Sequence, residues 1–129
     1  MTNVLLVSLG AALGALARFA LSAHLNGLAR FLPLGTLAAN WLGCFLAGFL
    51  AAFLLAYPGL EKWRPFLMTG FLGALTTFST FSLEVTGFLQ AGRFGQAFLV
   101  GLLHVAGSLF LTLLGFAAFG LMQGVLTSE

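Results

Sequence analysis

Four stretches of more than twenty residues run with almost no charge, and nothing else in this chain limits its fold so strongly. They extend from about Val4 to Leu25, from Leu34 to Ala56, from Pro65 to about Leu89, and from Ala97 to Leu126. The second and fourth contain no Asp, Glu, Lys or Arg. A helix needs about 20 apolar residues to cross roughly 30 Å of hydrocarbon, so each stretch can span a bilayer. Composition agrees: of 129 residues, 6% are charged and 60% hydrophobic. A soluble domain carries about 25% charged residues. This excludes a soluble enzyme, a disordered segment, a nucleic-acid binder and a disulfide scaffold. The single cysteine, Cys44, has no intrachain partner and reads as a small packing residue. Met1-Thr2-Asn3 lacks the basic residues of a signal peptide, and the stretch behind it is too long for an h-region. The first stretch is therefore read as a helix of the mature chain.

The expected fold is an all-α membrane protein with one domain over residues 1–129. Short connections favour antiparallel neighbours, and the long fourth span is expected to tilt or project. Four spans place both termini on one side, together with Lys62 and Arg64; Arg30 and Arg93 lie on the other. The positive-inside rule thus returns a tie of two against two. Such a tie means either a weakly specified orientation or dual topology, with copies inserted both ways and assembled as an antiparallel dimer. The chain has 17 glycines, close to twice ordinary usage. Gly10 and Gly14 form a GxxxG in the first span, Gly120 and Gly124 another in the fourth, and Gly43 and Gly48 punctuate the second. In lipid such residues let helix backbones approach closely.

Polar groups at membrane depth are costly, so each needs a partner or a purpose. Arg18, late in the first span, is either an interfacial anchor that snorkels or a vestibule cation that draws anions. Asn40 offers two amide donors, and Thr36 lies four residues earlier on the same helix face. An interhelical hydrogen bond and a ligand contact are both open for this pair. In the fourth span His104, Ser108 and Thr112 recur at i, i+4 and i+8 as one polar stripe. That pattern suits pore lining, although a lone membrane histidine can equally be a packing residue. His24 reads as interfacial.

The third span carries the densest signal. From Thr76 to Ser82, five of seven residues bear hydroxyls and the other two are Phe78 and Phe81. Ser and Thr compete with the helical ladder for backbone groups, and β-branched Thr stiffens χ1. With Gly70 and Gly73 upstream, this span is expected to be broken near its middle. Broken backbone at that depth survives only inside protein or beside a watery cavity. Freed carbonyls there could hold a cation, and freed N–H groups an anion. The alternative is an unbroken helix whose hydroxyls bond their own i−4 carbonyls. Phe78 and Phe81 share a face. Their ring edges carry partial positive charge, which suits the moderate anion binding that conduction requires.

Catalytic constellations are absent. Glu61 and Glu129 sit in a loop and the tail, which leaves Glu84 without a carboxylate partner; it either orients the broken segment or meets the water interface. No phosphate loop, zinc spacing or nucleophile–base pair appears, so an enzyme is not expected. Donors dominate the intramembrane inventory, which favours a small anion pathway in an oligomer.

Gly10-Ala11-Ala12-Leu13-Gly14-Ala15-Leu16-Ala17-Arg18-Phe19 and Gly35-Thr36-Leu37-Ala38-Ala39-Asn40 with Gly43 occur in order along the chain. They are followed by Gly70-Phe71-Leu72-Gly73-Ala74-Leu75-Thr76-Thr77-Phe78-Ser79-Thr80-Phe81-Ser82-Leu83-Glu84. These segments resemble the Fluc/CrcB fluoride channel family over nearly the whole length, most specifically in the Thr-Thr-Phe-Ser-Thr-Phe block. The fourth helix matches more loosely. The resemblance implies an antiparallel, dual-topology homodimer in the plasma (inner) membrane, with two pores that passively export fluoride from the cytoplasm. It implies that Phe78 and Phe81 line the path with the hydroxyls of Thr77 and Ser79, and that Asn40 donates to the ion. Ser108 and Thr112 would supply a hydroxyl track, with His104 a possible member, and Arg18 the vestibule charge. Backbone carbonyls of Gly73 and Thr76 would surround a central structural Na⁺.

Two other classes compete. A small proton-coupled multidrug exporter needs a carboxylate in its first helix, and Val4 to Leu25 has none. A non-conducting subunit would pass no ion on its own. A tag at the C-terminus is expected to be reached by impermeant reagents from both membrane faces; exclusive labelling from one face would eliminate dual topology.

Overall fold

A computed structural model describes residues 1–29 and 31–126, with the side chain of Leu126 left aside. Arg30 and Glu129, both weighed in the charge count, fall outside the described residues. Helix α1 runs from Thr2 to Leu25 and α2 from Leu34 to Ala56. A 3-10 turn at Pro58–Trp63 leads into a π-helical stretch, Pro65–Leu72, which passes directly into one turn of helix, α3, Gly73–Leu75. After a two-residue interruption come α4, Phe78–Gln90, and α5, Phe94–Leu126. Among the described residues, four helical units, with Pro65–Gln90 counted as one, are long and apolar enough to cross a membrane. The fourth starts three residues before the expected Ala97.

Asn26 accepts from the Gly35 N–H at 2.8 Å and so serves a free donor at the start of α2. Between α4 and α5, Gly92 takes φ 70°. Arg93 N–H bonds Phe88 O at 2.8 Å and Gly92 N–H bonds Leu89 O at 3.0 Å. This double bond closes the end of α4 in the manner of a glycine C′ residue.

Helix contacts fall into two layers. Helix α1 packs on the π-helical stretch and on α3, while α2 packs along α5. The first layer depends on Gly10 and Gly14, where an added Cβ would run into the backbone of Phe66 and Phe71. The second depends on Gly48 and Gly115, where it would meet the backbone of Thr112 and Phe45 respectively. Trp41 reinforces this layer by donating its indole N–H to Leu103 O at 2.9 Å. Gly120 and Gly124 do not contribute in this way, since a Cβ at either would meet nothing within 4 Å. The close approach of α5 thus uses Gly115, one turn before the GxxxG that the spacing suggests.

The expected break in the third span is present, at Thr76 and Thr77. Both have extended backbone, with φ −81°, ψ 152° and φ −149°, ψ 118°. β-Branched residues suit that region. Thr76 Oγ1 donates to Leu72 O at 2.9 Å and finishes the upstream helix. Thr77 Oγ1 accepts from Thr80 N–H at 3.2 Å and caps the downstream one. Elsewhere the hydroxyls do back-bond: Ser82 to Phe78 O and Thr112 to Ser108 O, each at 2.9 Å. The break also changes the partner of the span. Upstream it lies on α1, whereas α4 lies against α5 and touches α2.

Gly48→Val is expected to lose on the order of 3 kcal/mol by overpacking a backbone contact, whereas Gly120→Ala should stay within about 0.5 kcal/mol. Thermal unfolding of the two variants in detergent measures the difference.

Candidate functional site

The site begins with Asn40, which is buried on α2. Its Oδ1 accepts from Thr77 N–H at 2.7 Å, and its Nδ2 donates to Thr77 O at 3.0 Å. One side-chain amide therefore replaces the ladder partner that the Thr77 N–H loses at the break and adds a second donor to the Thr77 carbonyl. The second Nδ2 hydrogen is directed at His104 Nδ1, 3.1 Å away on α5. A primary amide has two N–H groups, so both are engaged within the chain. Interhelical bonding, one of the two readings open from sequence, is what this amide does here.

His104 is 4% exposed and stacks on Phe81 with ring centroids 4.6 Å apart and planes at 30°. Phe81 in turn meets Phe78 at 5.3 Å and 63°. With Nδ1 accepting from Asn40, a neutral ring carries its hydrogen on Nε2, and that atom is buried without a hydrogen-bond partner. Asn40, Thr77, Phe78, Phe81, His104 and Ser108 line one cavity of about 350 Å³, together with Cys44 and Thr76. Phe78 is 77% exposed and faces outward from the single chain.

A second cavity, of about 300 Å³, is lined by Arg18, Ser22, Thr36, Thr77 and Thr80. Among the described residues, Arg18 is its only charged lining residue. Thr77 belongs to both cavities, so the interrupted backbone stands between them. Neither wall includes a carboxylate among the described residues. Beside the second cavity, Thr36 donates to Glu84 Oε1 at 2.5 Å, linking α2 to α4. The other oxygen, Oε2, is buried with no partner. Thr36 and Asn40 thus share a face of α2 and both bind the third span, one to each side of α4's first turns.

The remaining expected positions divide. Ser79 is exposed, with its Oγ 3.3 Å from Thr77 Oγ1; Gly73 is exposed as well, and so is Thr80, which lines the second cavity. Ser108 is at the cavity wall, while Thr112, one turn on, commits its hydrogen to Ser108 O and lies outside that wall. Cys44 stands in the lining where sequence suggested simple packing. Its position four residues after Asn40 on the same helix face was the available signal. Gly73 O and Thr76 O lose their usual helical donors, because Thr77 N–H is taken by Asn40 and Thr80 N–H by Thr77 Oγ1.

These features define a small four-span membrane protein with two cavities flanking a broken helix, neither lined by a carboxylate among the described residues. Comparison with known proteins makes the class specific. The family profile of CrcB-like proteins (Camphor Resistance, CrcB) matches residues 5–116, and the chain belongs to that family. It is 52% identical to the fluoride-specific ion channel FluC of Chromohalobacter salexigens over 122 residues, covering 94% of this chain and 92% of that one. Identity to the FluC of Pseudomonas aeruginosa is 47% over 123 residues, covering 95% of this chain and 97% of that one. For the FluC of Albidiferax ferrireducens it is 53% over 116 residues, covering 89% and 88%. The chain is a multi-pass integral protein of the plasma membrane, of an ion-channel family and not an enzyme.

Asn40→Leu removes three buried hydrogen bonds and strands the N–H of Thr77. A stranded buried group costs about 1–3 kcal/mol, so the unfolding midpoint in detergent is expected to fall well below that of Cys44→Ala, which breaks no bond.

Proposed function

We propose that the chain is a fluoride-selective channel that passively exports fluoride from the cytoplasm, as an antiparallel, dual-topology homodimer with two pores. The observation that carries this reading is the cavity beside the break, where hydroxyls and an imidazole face two aromatic rings and no carboxylate. A small, strongly hydrated anion exchanges water for such donors, while ring edges hold it too weakly to trap it. The relatives, fluoride-specific ion channels by name, support the same ion.

In this reading Arg18 raises the anion concentration at the cavity it shares with Thr36 and Thr80. The ion then passes Thr77 and Ser79, meets Phe78 and Phe81, and leaves along Ser108 and Thr112. Asn40 holds the break open to the path. Its own N–H groups are spent on Thr77 and His104, so its influence on the ion passes through those two residues.

The outward face of the single chain supports a second copy. Gly73, Ser79 and Thr80 are exposed in the middle of a span, and lipid offers them no hydrogen bonds. A partner that covers them also receives Phe78. The balance of loop charges suits copies that insert in either direction.

The donor set is compatible with a structural Na⁺. Hard cations take oxygen ligands, and the carbonyls of Gly73 and Thr76 are among the four from Gly73 to Thr76 that lose their helical donors at the break. Bound there, the ion would neutralise those carbonyl dipoles where the copies meet.

Liposomes containing only this protein are expected to release fluoride and retain chloride. Equal leak of both ions, or of neither, overturns the channel. Phe78→Ile and Phe81→Ile are each expected to slow fluoride release about ten-fold, the rate equivalent of one aromatic contact, while dimers persist on gel filtration.

A further inference from the structure

Where the first turn of α1 meets the 3-10 turn, a cavity of about 490 Å³ opens beside Trp63. Its wall is sorted by depth. Thr2, Asn3 and Lys62 stand at the ends of the first and third spans. Leu6, one turn along α1, and Pro65, the first residue of the third span, lie on the hydrocarbon side of them. Trp63 is 45% exposed and meets Phe66 edge-on, with centroids 6.3 Å apart and planes at 82°. Tryptophan concentrates at the headgroup level of a bilayer, where one end of the ring is apolar and the other wet.

Charge is sorted as well. Arg64 donates from Nε to Glu61 Oε1 and from Nη2 to Oε2, so both carboxylate oxygens are engaged. Lys62 is exposed and makes no hydrogen bond or ion pair with the described residues. The cavity thus offers one uncompensated ammonium, an amide and a hydroxyl above an apolar floor, and its one carboxylate is already paired.

We propose that this cavity binds an anionic phospholipid, with the phosphate at Lys62, Asn3 and Thr2 and the upper acyl chain against Leu6, Trp63 and Pro65. The wall selects among headgroups by what it can satisfy. A zwitterionic lipid brings an ammonium that would need the Glu61 oxygens held by Arg64, whereas phosphatidylglycerol brings only an anion and hydroxyls. Basic residues beside a spanning helix attract anionic lipid, and the lysine stem lies along apolar surface while its ammonium meets the phosphate. The proposal needs only the spanning fold. It stands apart from the channel reading, because none of these residues lines the cavities at the break.

Brominated phospholipids quench tryptophan on contact, and the chain has two tryptophans, Trp41 and Trp63. The difference between parent protein and Trp63→Phe, both in mixed phosphatidylglycerol–phosphatidylcholine vesicles, isolates Trp63. At this residue brominated phosphatidylglycerol is expected to compete about five-fold better than brominated phosphatidylcholine, the effect of one juxtamembrane lysine. Equal quenching by the two lipids overturns the proposal. Brominated phosphatidylethanolamine is expected to rank with phosphatidylcholine; parity with phosphatidylglycerol overturns the preference for a net anion. Lys62→Gln is expected to abolish the preference, and Arg93→Gln, at the other end of the spans, to leave it intact. A preference that survives Lys62→Gln, or falls as far in Arg93→Gln, reports general charge attraction and overturns the site.

Discussion

The two hydrogen bonds between Asn40 and the backbone of Thr77 hold the rest of the arrangement in place. A peptide group released from its helix inside hydrocarbon has no water to turn to. Here one amide from a neighbouring helix takes up the freed N–H and adds a donor to the carbonyl, so the interruption is a defined conformation and not a local melting. Everything downstream follows from it. The span leaves α1, α4 takes a new direction against α5, and Phe81 arrives on the ring of His104. Thr76 and Thr77 make the cut clean by finishing one helix and beginning the next with their own hydroxyls.

The same bonds determine the chemistry of the cavity walls. With carboxylates absent from them, the field comes from N–H groups, hydroxyls and aromatic quadrupoles. Glu84 is close by but directs one oxygen to Thr36. Arg18 stays on the other side of Thr77, apart from the rings. The charge of Arg18 therefore lies on one side of Thr77, and the cavity that holds the rings has no charged side chain among the described residues.

Much of this was legible in the chain itself because the signals are local. Span length is read from uninterrupted apolar runs, and the break from hydroxyls crowded where a ladder must be maintained. The side of α2 that faces the third span follows from the i, i+4 relation of Thr36 and Asn40. What stayed hidden depends on residues far apart. The Thr36–Glu84 bond joins positions 48 apart, and nothing in either neighbourhood announces it. Glycine spacing misdirected the reading of the fourth helix, because Gly120 and Gly124 look like a packing motif while Gly115 makes the contact. A GxxxG reports that a backbone could approach, not which helix lies opposite. For His104, the sequence showed a polar stripe but not that one ring nitrogen would be taken and the other left.

The π-helical stretch from Pro65 to Leu72 bears on how this architecture tolerates change. It closes with Gly73 N–H bonded to both Gly70 O and Met68 O, the wider of these being the i→i−5 bond of a π turn. Such a turn holds more residues than an α-helix of the same height. Each residue in an α-helix advances the chain by about 100°. Removing a single residue between the proline and the break would let the stretch relax to ordinary helix, and Thr77 would swing out of register with Asn40. The number of residues in this stretch is then as much a requirement as their identity. Related chains could exchange apolar side chains along it freely, yet have little room to lengthen or shorten it.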